Sequence, residues 1–352
     1  MARLKLGNRI GNAYSSLYQF LGPATGVFAA NLTLRLREYP QLACHDMLRA
    51  QNDSWAVVWS AVEHSLHSQF RTCRMLSQRA IVSIESQYED AGIGDSYCPV
   101  LLSSPCSIAV PYPTHVHATS DEAMVAHLQH VAKSPRYWLA SYGGGSHGQQ
   151  IPLRDAIQRD CAEAEASSCH SIQRPPAMRV FGQDCQNASR HYAVWHEAYL
   201  HSDFCLMPPG DTVTRQGWFD ALLAGCVPVF FASCVRPALA YETMYSPFLP
   251  RHERSRYGPG PWAVLLNASA VISSPGYLLE MLRSIPKSTI GGMRRTILQH
   301  LPGLQYSAAP LAMHRDAQTI FRQLAERIAV DAPTCCRNSR GQHVPGAACP
   351  TT

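Results

Sequence analysis

The chain has 352 residues, of which 46% are hydrophobic and only 16% charged. That length suits two domains of ordinary size, and the composition excludes a highly charged disordered chain. With 25 prolines and 22 glycines, no long heptad run survives, and no period of 20–50 residues repeats, so coiled coil and solenoid are excluded as well.

The net charge of +5 rests on 27 arginines and 3 lysines. This excess fits either a GC-rich genome or a protein that handles anions, since guanidinium forks match phosphate and carboxylate. The arginines form no basic stripe, so nucleic acid is not an expected partner.

Arg3, Lys5 and Arg9 make a basic start, and Ile10–Leu34 carries no charge. Polar residues and Pro23 interrupt it, so residues 1–30 read as a weak signal or anchor-like segment, or as a truncated start. Residues 31–130 are expected to form a first domain. Within it, helical periodicity is expected over Trp55–Met75 and a short strand over Ser107–Tyr112, stopped by Pro111 and Pro113. A helix around Glu122–Lys133 marks the junction.

Residues 131–310 alternate more sharply. Strands are expected at Tyr137–Tyr142, Met178–Phe181, Phe204–Met207 and Val227–Phe231. Helices are expected at Leu153–Glu165, Ser189–Leu200 and Gly217–Leu223. Short apolar strands that each lead into a helix predict an α/β fold with a parallel sheet covered on both faces. Further helices are expected at Gly276–Ser284, Thr289–His300 and, as a C-terminal helix over 311–330, Leu311–Ala329. Residues 331–352 read as a tail with Cys335, Cys336 and Cys349.

The 13 cysteines include no C-x-x-C pair, which argues against a zinc ribbon or thioredoxin-like site. They are either free thiols of a cytosolic protein or disulfide partners in a secretory compartment. Four of seven asparagines (Asn31, Asn52, Asn187 and Asn267) begin an N-x-S/T sequon. That excess over chance favours a lumen and makes these four the N-glycosylation candidates.

Ligands in open α/β sheets sit beyond the carboxyl ends of the strands. Gly143–Gly148 (GGGSHG) spells G-x-G-x-x-G there. An acid at the end of the next strand is missing, which disfavours NAD. A tight turn and a phosphate-approaching turn both remain open, the second because glycines let a ligand close to the backbone. Gly143 and Gly144 are therefore candidates, with Arg154 on the following helix. His147 belongs to the same loop and reads as an exposed loop histidine.

Ser202–Phe231 is the stronger text, SDFCLMPPGDTVTRQGWFDALLAGCVPVFF. A strand end is followed by a rigid Pro208-Pro209-Gly210 turn. Asp211, Thr212 and Thr214 offer capping oxygens at a helix start, with Arg215 in its first turn. Such a terminus suits a diphosphate. Asp220 falls about a turn further on, where a carboxylate would accept from ribose hydroxyls. Gly225 is placed as the helix C-cap.

This string closely resembles the pattern of the exostosin family, glycosyltransferase family 47. The resemblance extends to Cys106–Pro113 (CSIAVPYP), Tyr137–Arg154, Trp262–Leu266 and Met293–Tyr306. It implies a GT-B fold, two Rossmann-like domains facing a cleft, with the N-terminal, acceptor-side domain here short or incomplete. It implies inverting transfer from a UDP-sugar to a polysaccharide or proteoglycan glycan by a Golgi type II membrane protein. It places Gly210, Asp211, Thr212, Thr214, Arg215 and Asp220 around the donor, and a hetero-complex with related glycosyltransferases is a further expectation.

No D-x-D triad occurs in the chain. No metal or other cofactor is therefore expected, and positive groups with helix dipoles must stabilise the leaving UDP. Arg215 is the first candidate for that role and Arg154 the second. The family's Gly-Arg-Asp-His-Phe-like stretch is absent, which motivates an alternative, a catalytically impaired partner subunit that binds nucleotide sugar or glycan. Inversion also needs a general base. His45, Asp46, Glu63, His64 and Glu89 are weak candidates, and the base is unassigned. His115 and His117 have strand spacing and no third metal ligand.

Overall fold

The computed structural model describes residues 58–60, 81–83, 88–90, 99–101, 107–109, 111, 114, 118, 120–144, 151–172, 185–209, 214–233, 248–250 and 261–304. Early in the chain, β1 (Val58–Ser60), β2 (Ile81–Ser83) and β5 (Ser107–Ala109) form a parallel sheet in the order β1-β2-β5. Between them, β3 (Tyr88–Asp90) and β4 (Pro99–Leu101) pair antiparallel. The expected helix over Trp55–Met75 is therefore wrong at Val58–Ser60. There, parallel pairing with Ile81–Ser83 overrides an apparent helical period.

The second sheet has the order β10-β9-β8-β6-β7, and every pairing is parallel. Its strands are β6 (Trp138–Gly143), β7 (Cys169–Ile172), β8 (Ser202–Leu206), β9 (Val227–Ala232) and β10 (Val264–Asn267). The inner strands β8 and β9 are buried at every position, whereas the edge strands β7 and β10 are each buried at only two of four positions. That contrast is what a sheet covered on both faces requires.

Right-handed crossovers place the helices. The step from β6 to β7 runs one way and the step from β7 to β8 runs back across β6. Their helices, α2 (Ile151–Glu163) and α3 (Cys185–Leu200), therefore lie on opposite faces. α4 (Gln216–Leu223) continues in the direction of α3 and packs against it. After β10, α5 (Ala268–Ser273) and α6 (Tyr277–Arg283) pack on α2. α7 (Lys287–His300) contacts β9 and ends in a 3-10 turn, Leu301–Leu304. The shared core runs through Tyr142, Phe204, Trp218, Phe230 and Trp262, with Trp218 stacked on Trp262 at 5.8 Å.

Local chemistry explains the ends of these elements. The helix α1 (Asp121–Lys133) starts at Ser120, whose Oγ accepts from Ala123 N at 3.1 Å, with Asp121 and Glu122 in its first turn. α4 ends where Gly225 turns left-handed at φ 63°. Gly225 N then donates to Leu222 O at 2.9 Å and Cys226 N to Ala221 O at 3.0 Å, a Schellman closure. Arg136, in the α1–β6 connection, clamps three chain ends. Its Nη1 donates to Tyr199 O at 2.9 Å and Ser202 O at 2.8 Å, and its Nη2 to Ala224 O at 3.0 Å. Burial pushes this guanidinium down to about 9, with Arg294 nearby adding to the effect.

Among the described residues, disulfides join Cys161 to Cys169 and Cys205 to Cys226. The first ties α2 to β7, and the second ties β8 to the turn that enters β9. The expected strand over Met178–Phe181, the helix over Leu311–Ala329, the tail, Asn31 and Asn52 lie outside the described residues. No helix among the described residues is long and apolar enough to cross a membrane.

Candidate functional site

The strand order makes β6 the point where the sheet reverses. Connections leave β6 and β8 toward opposite faces, so a crevice opens between their carboxyl ends. Gly143 is the last residue of β6, and Pro208 lies two residues beyond β8. The side chain of Arg215 spans this opening. Its Nη2 donates to Gly143 O at 3.0 Å and its Nη1 to Pro208 O at 3.4 Å.

Arg154 reaches the same turn from the other side. It sits in α2 with 1% of its surface exposed, and its Nη2 donates to Pro209 O at 2.6 Å. Two guanidiniums from different elements thus hold consecutive proline carbonyls. Proline has no N–H and a fixed φ, so these carbonyls are the handles by which such a turn can be pinned.

Two buried phenols complete the floor. Tyr142 is fully buried, and burial raises its pKa, against the lowering influence of Arg154 and Arg215. Tyr199 is pushed up to about 12 by burial, while Arg215 opposes and Asp220 and Tyr142 add to the rise. Both remain protonated donors at neutral pH. The backbone runs close over them. A Cβ on Gly144 would meet Tyr142 Oη at 2.6 Å, and one on Gly143 would meet Tyr199 Oη at 3.3 Å. These glycines are fixed by close approach.

Several expected residues converge here. Gly143, Gly144, Arg154 and Arg215 surround the crevice mouth, and Gln158 Nε2 donates to Gly144 O at 3.3 Å. Arg215 was expected in the first turn of the helix. It is the N-cap residue instead, with extended backbone (φ −159°) and no side-chain capping bond, since a guanidinium has only donors and cannot accept from the helix N–H groups. Thr214 beside it is 2% exposed, and Asp220 lies buried within α4 at 4%. Gly210, Asp211, Thr212 and His147 lie outside the described residues, as do His45, Asp46, Glu63, His64, His115 and His117. Glu89 lies in β3, in register with Val100. Among the described residues, no group of three or more His, Cys, Asp or Glu is arranged to hold a metal ion.

Sequence reasoning missed Tyr142 and Tyr199. Each reads as the apolar end of its element, and no local pattern marks a phenol that packs beneath a glycine turn. Gly217 was read only as a helix start, yet a Cβ there would stand 3.5 Å from Tyr199 Oη.

Residues 102–253 match the exostosin GT47 domain. That match spans the whole crevice, from β5 through β9. A probable xyloglucan galactosyltransferase, GT19, of Arabidopsis thaliana is 30% identical over 201 residues, which are 56% of this chain and 42% of that protein. The xyloglucan galactosyltransferase XLT2 of the same plant is 29% identical over 62% of this chain and 40% of its own length. The chain thus spans about two fifths of the relatives it matches. A solved GtfA/B complex aligns with 83% of this chain and 61% of its own at 10% identity, with a TM-score of 0.38. The fold class of the chain rests on its own parallel sheet.

Proposed function

We propose that this chain is an inverting, metal-independent glycosyltransferase that moves a sugar from a UDP-sugar to a glycan or polysaccharide. The observation that carries the reading is the pair of arginines at the switch point, where Arg215 and Arg154 fix the turn beyond β8. A diphosphate in this crevice meets Arg215 and the start of α4, whose first N–H groups add positive potential, with the buried charge of Arg154 behind the turn.

In the proposed reaction, an acceptor hydroxyl attacks the sugar C1 from the face opposite the diphosphate. Its proton goes to a base on the acceptor side, and the C1–O bond to UDP breaks with its electron pair on the diphosphate. The arginines oppose the charge that develops there. A GT-B arrangement and residence in the Golgi lumen belong to the same proposal, and the two disulfides support an oxidising compartment. The relatives, xyloglucan galactosyltransferases, make UDP-galactose and xyloglucan the first pair to assay.

The test is calorimetric binding of UDP to the chain, with and without EDTA, followed by turnover with UDP-galactose and xyloglucan. Binding that survives EDTA and product with inverted anomeric configuration are expected. A folded chain that binds no UDP would overturn the reading.

A further inference from the structure

Four sequons were read from the sequence, and none of their asparagines is among the described residues that form the crevice. Asn267 is the one whose side chain is described. It is the last residue of β10, the edge strand of the second sheet, and it is exposed. The next position is Ala268, buried at 2%, and Ser269 at the third position is exposed.

The two ends of the Asn267 amide do different things. Its Oδ1 accepts from Ala270 N at 3.0 Å and so fixes the bend from β10 into α5. Its Nδ2 is therefore the end left to carry a substituent. A sugar on Nδ2 leaves the Oδ1 bond intact, so modification and fold are compatible. Among the described residues, no strand pairs with the outer side of β10. An exposed strand edge invites pairing with another chain, and a hydrated bulky group at its end blocks that approach.

We infer that Asn267 is an N-glycosylation site and that its glycan shields the β10 edge. The inference rests on the lumenal reading given above. In the modification, Nδ2 loses one proton and forms a bond to C1 of an oligosaccharide. The bond that breaks joins C1 to the diphosphate of a lipid-linked donor, which leaves with the electron pair as the lipid diphosphate.

The test expresses the full chain behind a cleavable secretion leader, so that lumenal entry is supplied. Peptide N-glycosidase converts a glycosylated asparagine to aspartate, which peptide mass spectrometry reads at position 267. Asn267→Asp keeps the capping oxygen and Ser269→Ala leaves the cap untouched. Each is expected to lose one glycosidase-sensitive mobility step while its melting temperature holds. Increased self-association of both variants is expected as well. A folded, secreted chain with unmodified Asn267 overturns the inference and leaves the lumenal reading standing. Co-fractionation of the gene's own full-length product with cytosolic markers overturns the lumenal reading instead.

Discussion

The guanidinium of Arg215 and the carbonyl of Gly143 are 72 positions apart in the chain and 3.0 Å apart in space. A single side chain therefore closes the distance between the first and third strands of the second sheet. It positions the crevice and supplies charge to it at once. These two duties separate by substitution. Arg215→Lys keeps the charge, but a lysine ammonium cannot reproduce a planar fork between two carbonyls. UDP affinity is expected to fall about tenfold or more in Arg215→Lys, which corresponds to about 1.4 kcal/mol or more. Arg215→Ala is expected to bind more weakly still and to melt several degrees lower. Calorimetry with UDP and a thermal melt of each variant check both statements.

Gly225 and Gly276 both have positive φ, 63° and 82°, but their surroundings differ. A Cβ on Gly225 would stand 2.6 Å from Val131 Cγ1 and 3.1 Å from Arg136 Nη2, whereas one on Gly276 meets nothing within 4 Å. Gly276→Ala is expected to cost about 1 kcal/mol from backbone strain alone. Gly225→Ala adds overpacking of roughly 1–3 kcal/mol and disturbs the Arg136 clamp. Urea unfolding of the two variants, compared with the parent, isolates the steric contribution.

The disulfides differ in the loop they close, with separations of 8 residues for Cys161–Cys169 and 21 for Cys205–Cys226. Chain-entropy reasoning gives about 2.5 kcal/mol for the shorter loop and about 3 kcal/mol for the longer. Replacing Cys205 and Cys226 together by alanine is expected to lower the urea midpoint more than the same change at Cys161 and Cys169. Both Cys205 and Cys226 are fully buried, so ordinary reductants should act on this bond only after opening of the sheet.

A histidine pair between α1 and α3 sets a pH dependence. His127 and His196 lie with ring centroids 6.3 Å apart, and His127 Nε2 is 3.0 Å from Leu223 O. Burial, then His127, pushes His196 down to about 4, with His130 and His201 adding to the fall and Glu197 opposing it. The folded chain therefore favours the neutral ring. Its contribution is complete above the ordinary value near 6.5 and is lost as pH falls toward 4. Stability is expected to drop by roughly 2 kcal/mol between pH 7 and pH 5 from this group. His196→Phe should flatten that part of the profile, as urea midpoints at the two pH values would show.

The inner part of the second sheet was legible because burial on both faces leaves a mark in the text. Val227–Phe231 and Phe204–Met207 are unbroken apolar runs, and both fall on strands that are buried throughout. The strand β7 was missed for the converse reason. It reads CHSI, with His170 and Ser171 on an edge that does not demand apolar residues, so no apolar run marks it, and the expected strand at Met178–Phe181 lies outside the described residues. In the first sheet, β5 falls within the strand expected over Ser107–Tyr112, whereas β1 and β2 are three-residue strands too short to show a period, and only pairing identifies them. At the crevice, glycines and arginines were visible as residue types. Their partners were not, because backbone carbonyls such as Gly143 O and Pro209 O carry no sequence signal.

The Cys205–Cys226 bond encloses the Pro-Pro turn, Arg215 and all of α4 within one covalent ring. A protease that nicks the chain anywhere between those two cysteines releases no fragment. The two pieces stay joined, with β8 still beside β9, and separate on a denaturing gel only after reduction. A cut in this loop would thus be silent to a non-reducing gel while removing the continuity that holds Arg215 at the strand ends.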